Sequence, residues 1–284
     1  MSLPKVGVVG AGFVGMAVAK GFNLFADVKV YDIDPRRSTH SLEQVLSSEF
    51  VFLCLPTPMT SAEGGECNLS IIEGFFSNPL VNLVKYDPEP IFIIKSTVPV
   101  GTTRKLQEKY PTLKIVHSPE FLTARAALID FITPARNIVG GPLEVAEKVA
   151  GLLRQRFPGV TCYTMSSDES EMVKYAANCF FATKVMFFNE MLLLAEKLGL
   201  NWEKVIEGVM SDGRIAKSHY QVPGHDGDKG FGGTCFPKDI NAMINLMEAE
   251  GIDPKVLKAV WEQNKAIRKN WDWATSSSAV KAKE

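Results

Sequence analysis

The first half of the chain alternates short apolar runs with helical stretches. Residues 5–10 form an apolar run that ends in glycine, as a buried parallel strand does. A helical stretch from about Gly12 to Phe22 follows, and then a second strand, Val28–Asp32. Further short apolar runs lie between loops and helical stretches, at 51–55, 91–95 and 114–116, with edge strands expected at 138–140 and 160–163. The alternation predicts an α/β fold with a doubly wound parallel sheet over residues 1–166.

From about Ser166 onward the pattern becomes helical. Residues 168–198 have helical spacing, almost no helix breakers and an acidic first turn, and such a helix would span roughly 45 Å. A helix of this length suits an element that links two domains or forms the core of a dimer. Further helices are expected at 201–210, 238–250 and 254–270. We therefore predict an all-helical domain over residues 167–275, followed by a small, polar, disordered tail at 276–284.

Composition narrows the class of protein. Apolar residues make up 46% of the chain and charged residues 22%, with a formal net charge of -1, which gives no reason to expect nucleic acid or an anionic membrane as partner. No apolar run approaches the ~20 residues that cross a bilayer, and the N-terminus leads directly into a strand. These features predict a cytoplasmic protein. The five cysteines are scattered without a CxxC pair, which argues against disulfides and against a metal site.

A glycine-rich turn lies where the first strand meets the first helix. Its sequence, Gly10-Ala11-Gly12-Phe13-Val14-Gly15, is a GxGxxG, the dinucleotide-binding pattern of Rossmann-type folds. Its glycines allow a tight turn, close approach of a pyrophosphate and close packing of helix on strand. Asp32 ends the second strand, where an acid binds ribose hydroxyls and repels a 2′-phosphate, so NAD is favoured over NADP. Arg36 and Arg37 weaken that preference without reversing it, and Arg37 is as consistent with a solvated arginine as with a cofactor contact.

Two loops follow later strands and should lie at the same edge of the sheet. One contains Thr57 and the other contains Ser96 and Thr97. Proline and glycine fix the backbone of both loops, which leaves hydroxyl and N–H groups to face the cofactor crevice. By themselves these segments are equally consistent with ordinary turns.

The segment Gly230–Asp239 carries the strongest chemical signal. Glycines precede Cys235, and Lys238 and Asp239 open a predicted helix, so the thiol should lie just before a helix N-terminus with a cation nearby. Both features favour a thiolate nucleophile. The alternative is a glycine-rich loop with an incidental thiol.

This segment resembles GFGGxCxPKD, the signature of the UDP-glucose/GDP-mannose dehydrogenase family. Further blocks resemble family motifs in the same order along almost the whole chain: Thr57-Pro58, Ser96–Thr102, Ser118–Leu122, Glu171–Asn178 and Asn189-Glu190. Because several separate motifs agree in order, the chain is identified as a member of this family.

The resemblance implies a four-electron oxidation of the C6 alcohol of a nucleotide sugar, with UDP-glucose the first choice, to the uronic acid. One hydride passes to NAD, Cys235 captures the aldehyde as a thiohemiacetal, and a second hydride transfer leaves a thioester that water hydrolyses. Lys174 and Asn178, which share a helix face, would hold the developing oxyanion. Asp239 would be the general base for the hydrolytic water, with Thr97 and Glu120 completing the proton network. The remaining expected contacts are Lys238 with the cofactor, and Phe121, Leu122, Tyr220, Phe231, Gly232 and Gly233 with the substrate.

Each of these residues also has an ordinary structural interpretation. Lys174 could be a solvated helix lysine, Asp239 a helix N-terminal acid, and Glu120 the partner of a loop salt bridge. The chain also departs from the family pattern. Ala124 stands where the family has a second active-site glutamate, and the stretch between Asp34 and Val51 is shorter than usual. The sequence also stops before the family's C-terminal nucleotide-binding domain, so a separate chain supplying that domain is one expectation.

Two other functions stay open at this point. One is a two-electron dehydrogenase of the 3-hydroxy acid or 6-phosphogluconate type, which would not need Cys235. The other is a non-catalytic remnant of the family. The resemblance also implies a homodimer that pairs through the 168–198 helix.

Overall fold

The structure is a computed structural model that describes residues 3–281. The chain divides into two compact units. The first holds the chain up to Thr57 together with Leu69–Lys174, and the second holds Pro58–Asn68 and the chain from Tyr175 onward. The division therefore falls inside the long helix, a few residues after the expected boundary at 166. It also assigns the segment 58–68 to the second unit, which the sequence did not indicate.

Seven strands form the sheet of the first unit: β1 (Lys5–Val9), β2 (Asp27–Tyr31), β3 (Phe50–Leu53), β4 (Ile91–Ile94), β5 (Lys114–His117), β6 (Asn137–Gly140) and β7 (Cys162–Met165). Their order is β2-β1-β3-β4-β5-β6-β7, and all neighbours are parallel except β5 and β6. The doubly wound sheet is confirmed, with one exception to its parallel character. The β5–β6 pair is antiparallel through His117 and Gly140, and β6 lies inside the sheet rather than at its edge.

Helices flank these strands: α1 (Phe13–Phe22), α2 (Leu42–Leu46), α3 (Ser70–Ser77), α4 (Pro79–Asn82), α5 (Thr102–Lys109), α6 (Ala127–Ile132) and α7 (Leu143–Arg156). The short stretch between β2 and β3 contains a 3₁₀ turn and the five-residue α2. The Ser41 hydroxyl accepts from Gln44 N and the Gln44 side chain accepts from Ser41 N, a capping box that stabilises even so short a helix.

Both faces of the sheet are buried. Along β3, Phe50 and Phe52 pack in the core on one face, whereas Val51 and Leu53 pack in the core on the other. Because side chains alternate along a strand, a strand covered on both faces is apolar throughout. This explains the uninterrupted apolar runs of the sequence and leaves the carboxyl ends of the strands as the edge where polar groups gather.

Helix α8 (Ser167–Lys197) has 31 residues, begins in the first unit and continues into the second. By length and composition alone it is apolar enough to cross a membrane, contrary to the sequence expectation. Glu171, Lys174 and Asn178 are nevertheless buried within the protein, and Tyr175 and Met186 belong to the core of the second unit. One face of α8 is therefore buried within the protein.

The second unit contains α9 (Trp202–Met210), α10 (Phe236–Ala249), α11 (Lys255–Ile267) and a 3₁₀ turn, Asp272–Thr275. The disordered tail expected at 276–284 is wrong for residues 276–281. Met59 N donates to Ala279 O at 2.8 Å, Lys281 N donates to Met59 O at 2.9 Å, and Ala279 is fully buried. The small residues that suggested fraying therefore fit a close backbone approach to the 58–68 segment. Residues 282–284 lie outside the described residues.

Candidate active site

The three glycines of the glycine-rich turn have different surroundings and therefore different roles. Gly10 has a φ of +93°, and a Cβ there would lie 2.4 Å from Cys54 O. A Cβ on Gly15 would lie 1.8 Å from Gly10 O, so this glycine is needed for the helix to pack against the turn. Gly12, which precedes α1, would meet nothing within 4 Å. Open space at Gly12, beside the exposed Phe13 and the half-buried Val14, leaves room for a ligand at the N-terminus of α1.

Asp32 lies beside this turn, as expected. Its Oδ2 accepts from Ala11 N at 2.6 Å and its Oδ1 accepts from Asp34 N at 2.9 Å. The carboxylate is thereby fixed next to the backbone that would receive a pyrophosphate, which suits a ribose diol and disfavours a 2′-phosphate. Arg37 is exposed and lies 3.7 Å from Asp34, so its position matches the solvated interpretation. The turn and the acid together fit NAD.

The two polar loops bond to each other. Ser96 Oγ donates to Leu55 O at 2.7 Å and accepts from Leu55 N at 3.0 Å. Thr57 Oγ1 donates to Thr97 O at 2.8 Å. Because these hydroxyl protons go to backbone carbonyls of the neighbouring loop, Ser96 and Thr57 stabilise the loops that follow β3 and β4. The expectation that their hydroxyl groups face a ligand receives no support from these contacts.

Glu120 and Lys174 form a buried ion pair. Lys174 Nζ donates to Glu120 Oε1 at 2.9 Å, and the two side chains are 3% and 7% exposed. The other oxygen, Oε2, accepts from Leu122 N at 2.6 Å. Burial opposes ionisation, but Lys174 and the Leu122 N–H outweigh it and hold the pKa of Glu120 below its usual value. Lys174 is therefore not a solvated lysine, and its Nζ also lies 5.4 Å from the centre of the Phe121 ring.

Sequence reasoning missed Lys95, which lies beside this pair. It follows β4 directly, is buried, and donates from Nζ to Pro119 O at 3.0 Å. Burial lowers the pKa of Lys95 to about 8, and the nearby ammonium of Lys174 acts in the same direction. Burial, together with Lys95, also lowers the pKa of His117 to about 3, so that imidazole is neutral. The sequence did offer one sign of this residue, because Lys95 stands directly after a buried strand and before Ser96.

Glu171 links α8 to the loop that follows β4. Its Oε2 accepts from Gly101 N at 2.6 Å, and its Oε1 accepts from Thr103 N at 2.8 Å and from Thr103 Oγ1 at 2.6 Å. These donors belong to the first turn of α5, where a carboxylate is favoured by the helix dipole. Burial nevertheless raises the pKa of Glu171 to about 7. The contact fixes the start of α8, and hence Lys174 one turn later, within the first unit.

In the second unit, Cys235 is the residue that immediately precedes α10, as predicted. Asp239 is almost fully buried one turn further on. Its Oδ2 accepts from Asn178 Nδ2 at 2.5 Å, and its Oδ1 accepts from Lys238 Nζ. Burial acts to lower the pKa of Lys238, but the Asp239 carboxylate and the nearby thiols of Cys235 and Cys67 raise it overall. A permanently charged ammonium close to Cys235 favours a thiolate there.

The glycine-rich loop before Cys235 donates backbone hydrogen bonds to protein side chains. Gly230 N donates to Asn189 Oδ1 at 2.9 Å, and Phe231 N donates to Asn264 Oδ1 at 2.7 Å. Phe231 is buried, so its expected role in binding substrate is not evident from its side chain. Sequence reasoning missed Asn264 because its spacing on α11 gives no sign of a loop partner.

Tyr220 lies in the loop that follows α9. It lines a cavity of about 730 Å³ whose lining residues all come from α9 and the loop after it, within 202–225. His219, by contrast, stacks on Phe181 with ring centroids 4.1 Å apart, and its ring lies 5.6 Å from that of Phe236, the residue after Cys235. An irregularly placed histidine in a loop gave no sequence signal for this position.

Comparison with known proteins supports the resemblance independently. Residues 36–157 match the NAD binding domain of the UDP-glucose/GDP-mannose dehydrogenase family, and residues 168–266 match its central domain. A UDP-glucose 6-dehydrogenase from Rickettsia felis is 36% identical over 231 residues, covering 78% of this chain and 49% of that protein. One from Campylobacter jejuni is 30% identical over 298 residues, covering 93% of this chain and 73% of that protein.

Solved structures agree with these matches. A UDP-glucose dehydrogenase from Pyrobaculum islandicum superimposes with a TM-score of 0.78 at 29% identity, over 93% of this chain and 68% of that one. The chain spans about half the length of several curated relatives, including the Rickettsia protein.

Proposed function

Because the chain belongs to the UDP-glucose/GDP-mannose dehydrogenase family, we propose that it oxidises the C6 primary alcohol of a nucleotide sugar to the acid with NAD. UDP-glucose is the substrate to test first, since the matched relatives are named for it. The product would be the nucleotide-linked uronic acid.

The arrangement around Cys235 carries the proposal. The thiol precedes α10, the partly buried Lys238 ammonium lies close to it, and the Asp239 carboxylate is held in one orientation by Asn178 and Lys238. A nucleophile, a cation and a fixed base within one turn of a helix are the groups that covalent oxidation of an aldehyde requires. A two-electron dehydrogenase has no use for them.

The chain's own groups account for cofactor binding. Gly10, Gly12 and Gly15 shape the turn for a pyrophosphate, and Asp32 would accept from the ribose hydroxyls. When bound, NAD supplies a hydride acceptor for each of the two oxidations. Lys238 as a further contact with the cofactor stays a prediction.

The first oxidation removes a hydride from C6 and a proton from its oxygen, which leaves an aldehyde. Lys174 and Asn178 would stabilise the negative charge on that oxygen by charge and by hydrogen bond, and Glu120, paired with Lys174, would take part in moving the proton. In this proposal Thr97 is a further member of the network that moves the proton. The thiolate of Cys235 then adds to the aldehyde carbon, and protonation of the resulting oxyanion gives a thiohemiacetal.

The second oxidation removes the remaining hydride from C6 and the hydroxyl proton, which leaves a thioester on Cys235. Water then attacks the thioester carbon while Asp239 accepts a proton from it. The carbon–sulfur bond breaks, Cys235 leaves as the thiolate, and the carboxylic acid is released. Asn178 has two duties in this scheme, because it also orients Asp239.

The experiment measures NADH formed per molecule of UDP-glucose consumed, with mass detection of the sugar product. We expect two NADH per uronic acid in the wild type, and loss of acid formation in Cys235→Ser with NAD binding retained. Cys162→Ser, which changes another partly buried thiol, is the matched control and should match the wild type. One NADH per sugar with Cys235→Ser unaffected would refute the proposal in favour of a two-electron dehydrogenase. No turnover of a panel of nucleotide sugars, despite NAD binding, would favour the non-catalytic alternative.

We also propose that α8 pairs with α8 of a second copy. Phe180, Phe187 and Leu194 are 62%, 53% and 53% exposed and lie seven residues apart, so they form one apolar stripe along the helix. Sedimentation velocity should give a dimer for the wild type and a monomer for Phe187→Glu. A monomeric wild type at micromolar concentration would refute this pairing.

A further inference from the structure

The loop Gly230–Cys235, here the Cys235 loop, is held by the end of α11 and the residues after it. Asn264 accepts from Phe231 N at 2.7 Å and donates from Nδ2 to Phe231 O at 3.0 Å. Asp272 accepts from Gly233 N at 3.0 Å and 3.1 Å through its two oxygens. Two side chains that follow the loop by some thirty to forty residues therefore fix its backbone on both sides of Gly232.

Arg268 joins these contacts into one network. Its side chain is only 2% exposed, and its Nη2 donates to Asp226 Oδ2 at 2.5 Å and to Asp272 Oδ1 at 3.3 Å. Its Nη1 donates to Lys229 O at 3.4 Å, just before the Cys235 loop begins. A buried guanidinium is stable only when its donors are satisfied, and here the acceptors lie just before the loop, at Asp226 and Lys229, and after α11, at Asp272.

The loop's glycines give an independent sign of the same network. A Cβ on Gly230 would lie 2.4 Å from Asn264 Oδ1. A Cβ on Gly232 would lie 2.2 Å from Arg268 Nη2 and 2.3 Å from Asp272 Oδ1. These distances leave no room for a methyl group, and the atoms in the way belong to the chain itself.

We propose that Asn264, Arg268 and Asp272 form a clamp that positions Cys235, and that Gly232 must be glycine because clamp side chains lie against it. The clamp residues are positioning residues that act through the loop backbone. The inference rests on the proposed function only in taking Cys235 as the nucleophile.

Gly232 makes the proposal testable. Its φ lies outside the left-handed region, so its backbone accepts alanine, and only the Arg268 and Asp272 side chains oppose the added methyl group. If the clamp is the reason for the glycine, Gly232→Ala and Arg268→Ala disturb the same contacts. Their effects must then fail to add. If the glycine serves only a ligand, Gly232→Ala has no effect on the loop while no ligand is present.

The experiment measures the rate at which iodoacetamide alkylates Cys235, by mass spectrometry of the peptide, without NAD or sugar. We expect Gly232→Ala and Arg268→Ala each to accelerate alkylation at least about fivefold, because the partly buried thiol opens locally more often. The double variant should react no faster than the faster single variant. Alkylation of Cys162, in the first unit, is the internal control and should not change. Arg214→Ala, which removes an exposed arginine paired with Asp212, is the matched control variant.

An unchanged rate in Gly232→Ala, or a double variant whose acceleration equals the product of the two single effects, would overturn the clamp. Asp272→Asn keeps the test decisive if a variant fails to fold, because Asp272 is 40% exposed and the change is small. It too should accelerate alkylation, and an unchanged rate would count against the proposal. Failure of turnover alone would instead count against the proposed function, since the alkylation measurement involves no turnover.

Discussion

Titration of Lys95 should make the free energy of unfolding depend measurably on pH. Its ammonium lies buried at the carboxyl end of β4, with Pro119 O as its hydrogen-bond acceptor at 3.0 Å. Burial lowers its pKa from 10.5 to about 8, although the Glu120 carboxylate acts in the opposite direction. Lys95→Met keeps an unbranched side chain of similar length and removes the titrating group.

The magnitude follows from the two pKa values. In the unfolded chain Lys95 stays protonated to about pH 10.4, whereas the folded protein releases this proton near pH 8. Between these values the unfolded state binds more protons, so the free energy of unfolding rises with pH. At about 1.4 kcal/mol per pKa unit, the full rise is roughly 3 kcal/mol. The stability contributed by this group is thus present above the unfolded pKa and lost as the pH falls through about 8.

Urea denaturation followed by circular dichroism at pH 7, 8, 9 and 10 measures this effect. The free energy of unfolding of the wild type minus that of Lys95→Met should increase by roughly 2–3 kcal/mol between pH 8 and pH 10. Lys20→Met, at an exposed position on α1, should track the wild type at every pH. A difference that stays flat over this range, or one that falls, would show that Lys95 is neither buried nor charged as described.

Two further predictions concern the first unit. Lys174→Met should lower the free energy of unfolding at pH 7 by about 3–5 kcal/mol in urea denaturation, because Glu120 is left charged and buried without its partner. Adding Glu120→Gln should recover part of the lost free energy of unfolding. A double variant that is less stable than Lys174→Met would contradict the pairing. Gly15→Ala should abolish NAD binding in calorimetry, because its methyl group would displace the Gly10 carbonyl, whereas Gly74→Ala, in open space on α3, should bind NAD like the wild type.

Local sequence patterns predicted most of the fold. The apolar runs indicated all seven strands within a few residues, and the bounds predicted for the first helix and for the helices after residue 166 were similarly close, because burial on both faces and helical spacing are local properties. The short helices between β2 and β6 were not assigned from the sequence. The errors concern pairings between distant segments. The antiparallel β5–β6 contact and the hydrogen bond from Met59 N to Ala279 O depend on where the chain returns, and no local pattern encodes that.

The candidate site divides in the same way. The position of Cys235 before α10 followed from a glycine-rich segment and the residues after it, all within ten positions. Lys95 and Arg268 were missed because lysine and arginine are usually solvated, and only the tertiary structure buries these two. Asn178 was predicted as an oxyanion contact, but its bond to Asp239 links residues 61 positions apart.

A sequence motif can predict that a glycine stands at a position without predicting why a glycine is needed there. Gly12 and Gly232 both stand in glycine-rich segments, and both suggested close approach by a ligand. A side chain on Gly12 would enter open space, whereas one on Gly232 would enter the volume of Arg268 and Asp272. The same substitution therefore has different expected results. Gly12→Ala should weaken NAD binding and leave the rest of the protein unchanged. Gly232→Ala should instead change the alkylation rate of Cys235 even when no ligand is bound. What lies beside a glycine therefore determines whether replacing it affects ligand binding or the protein's own packing.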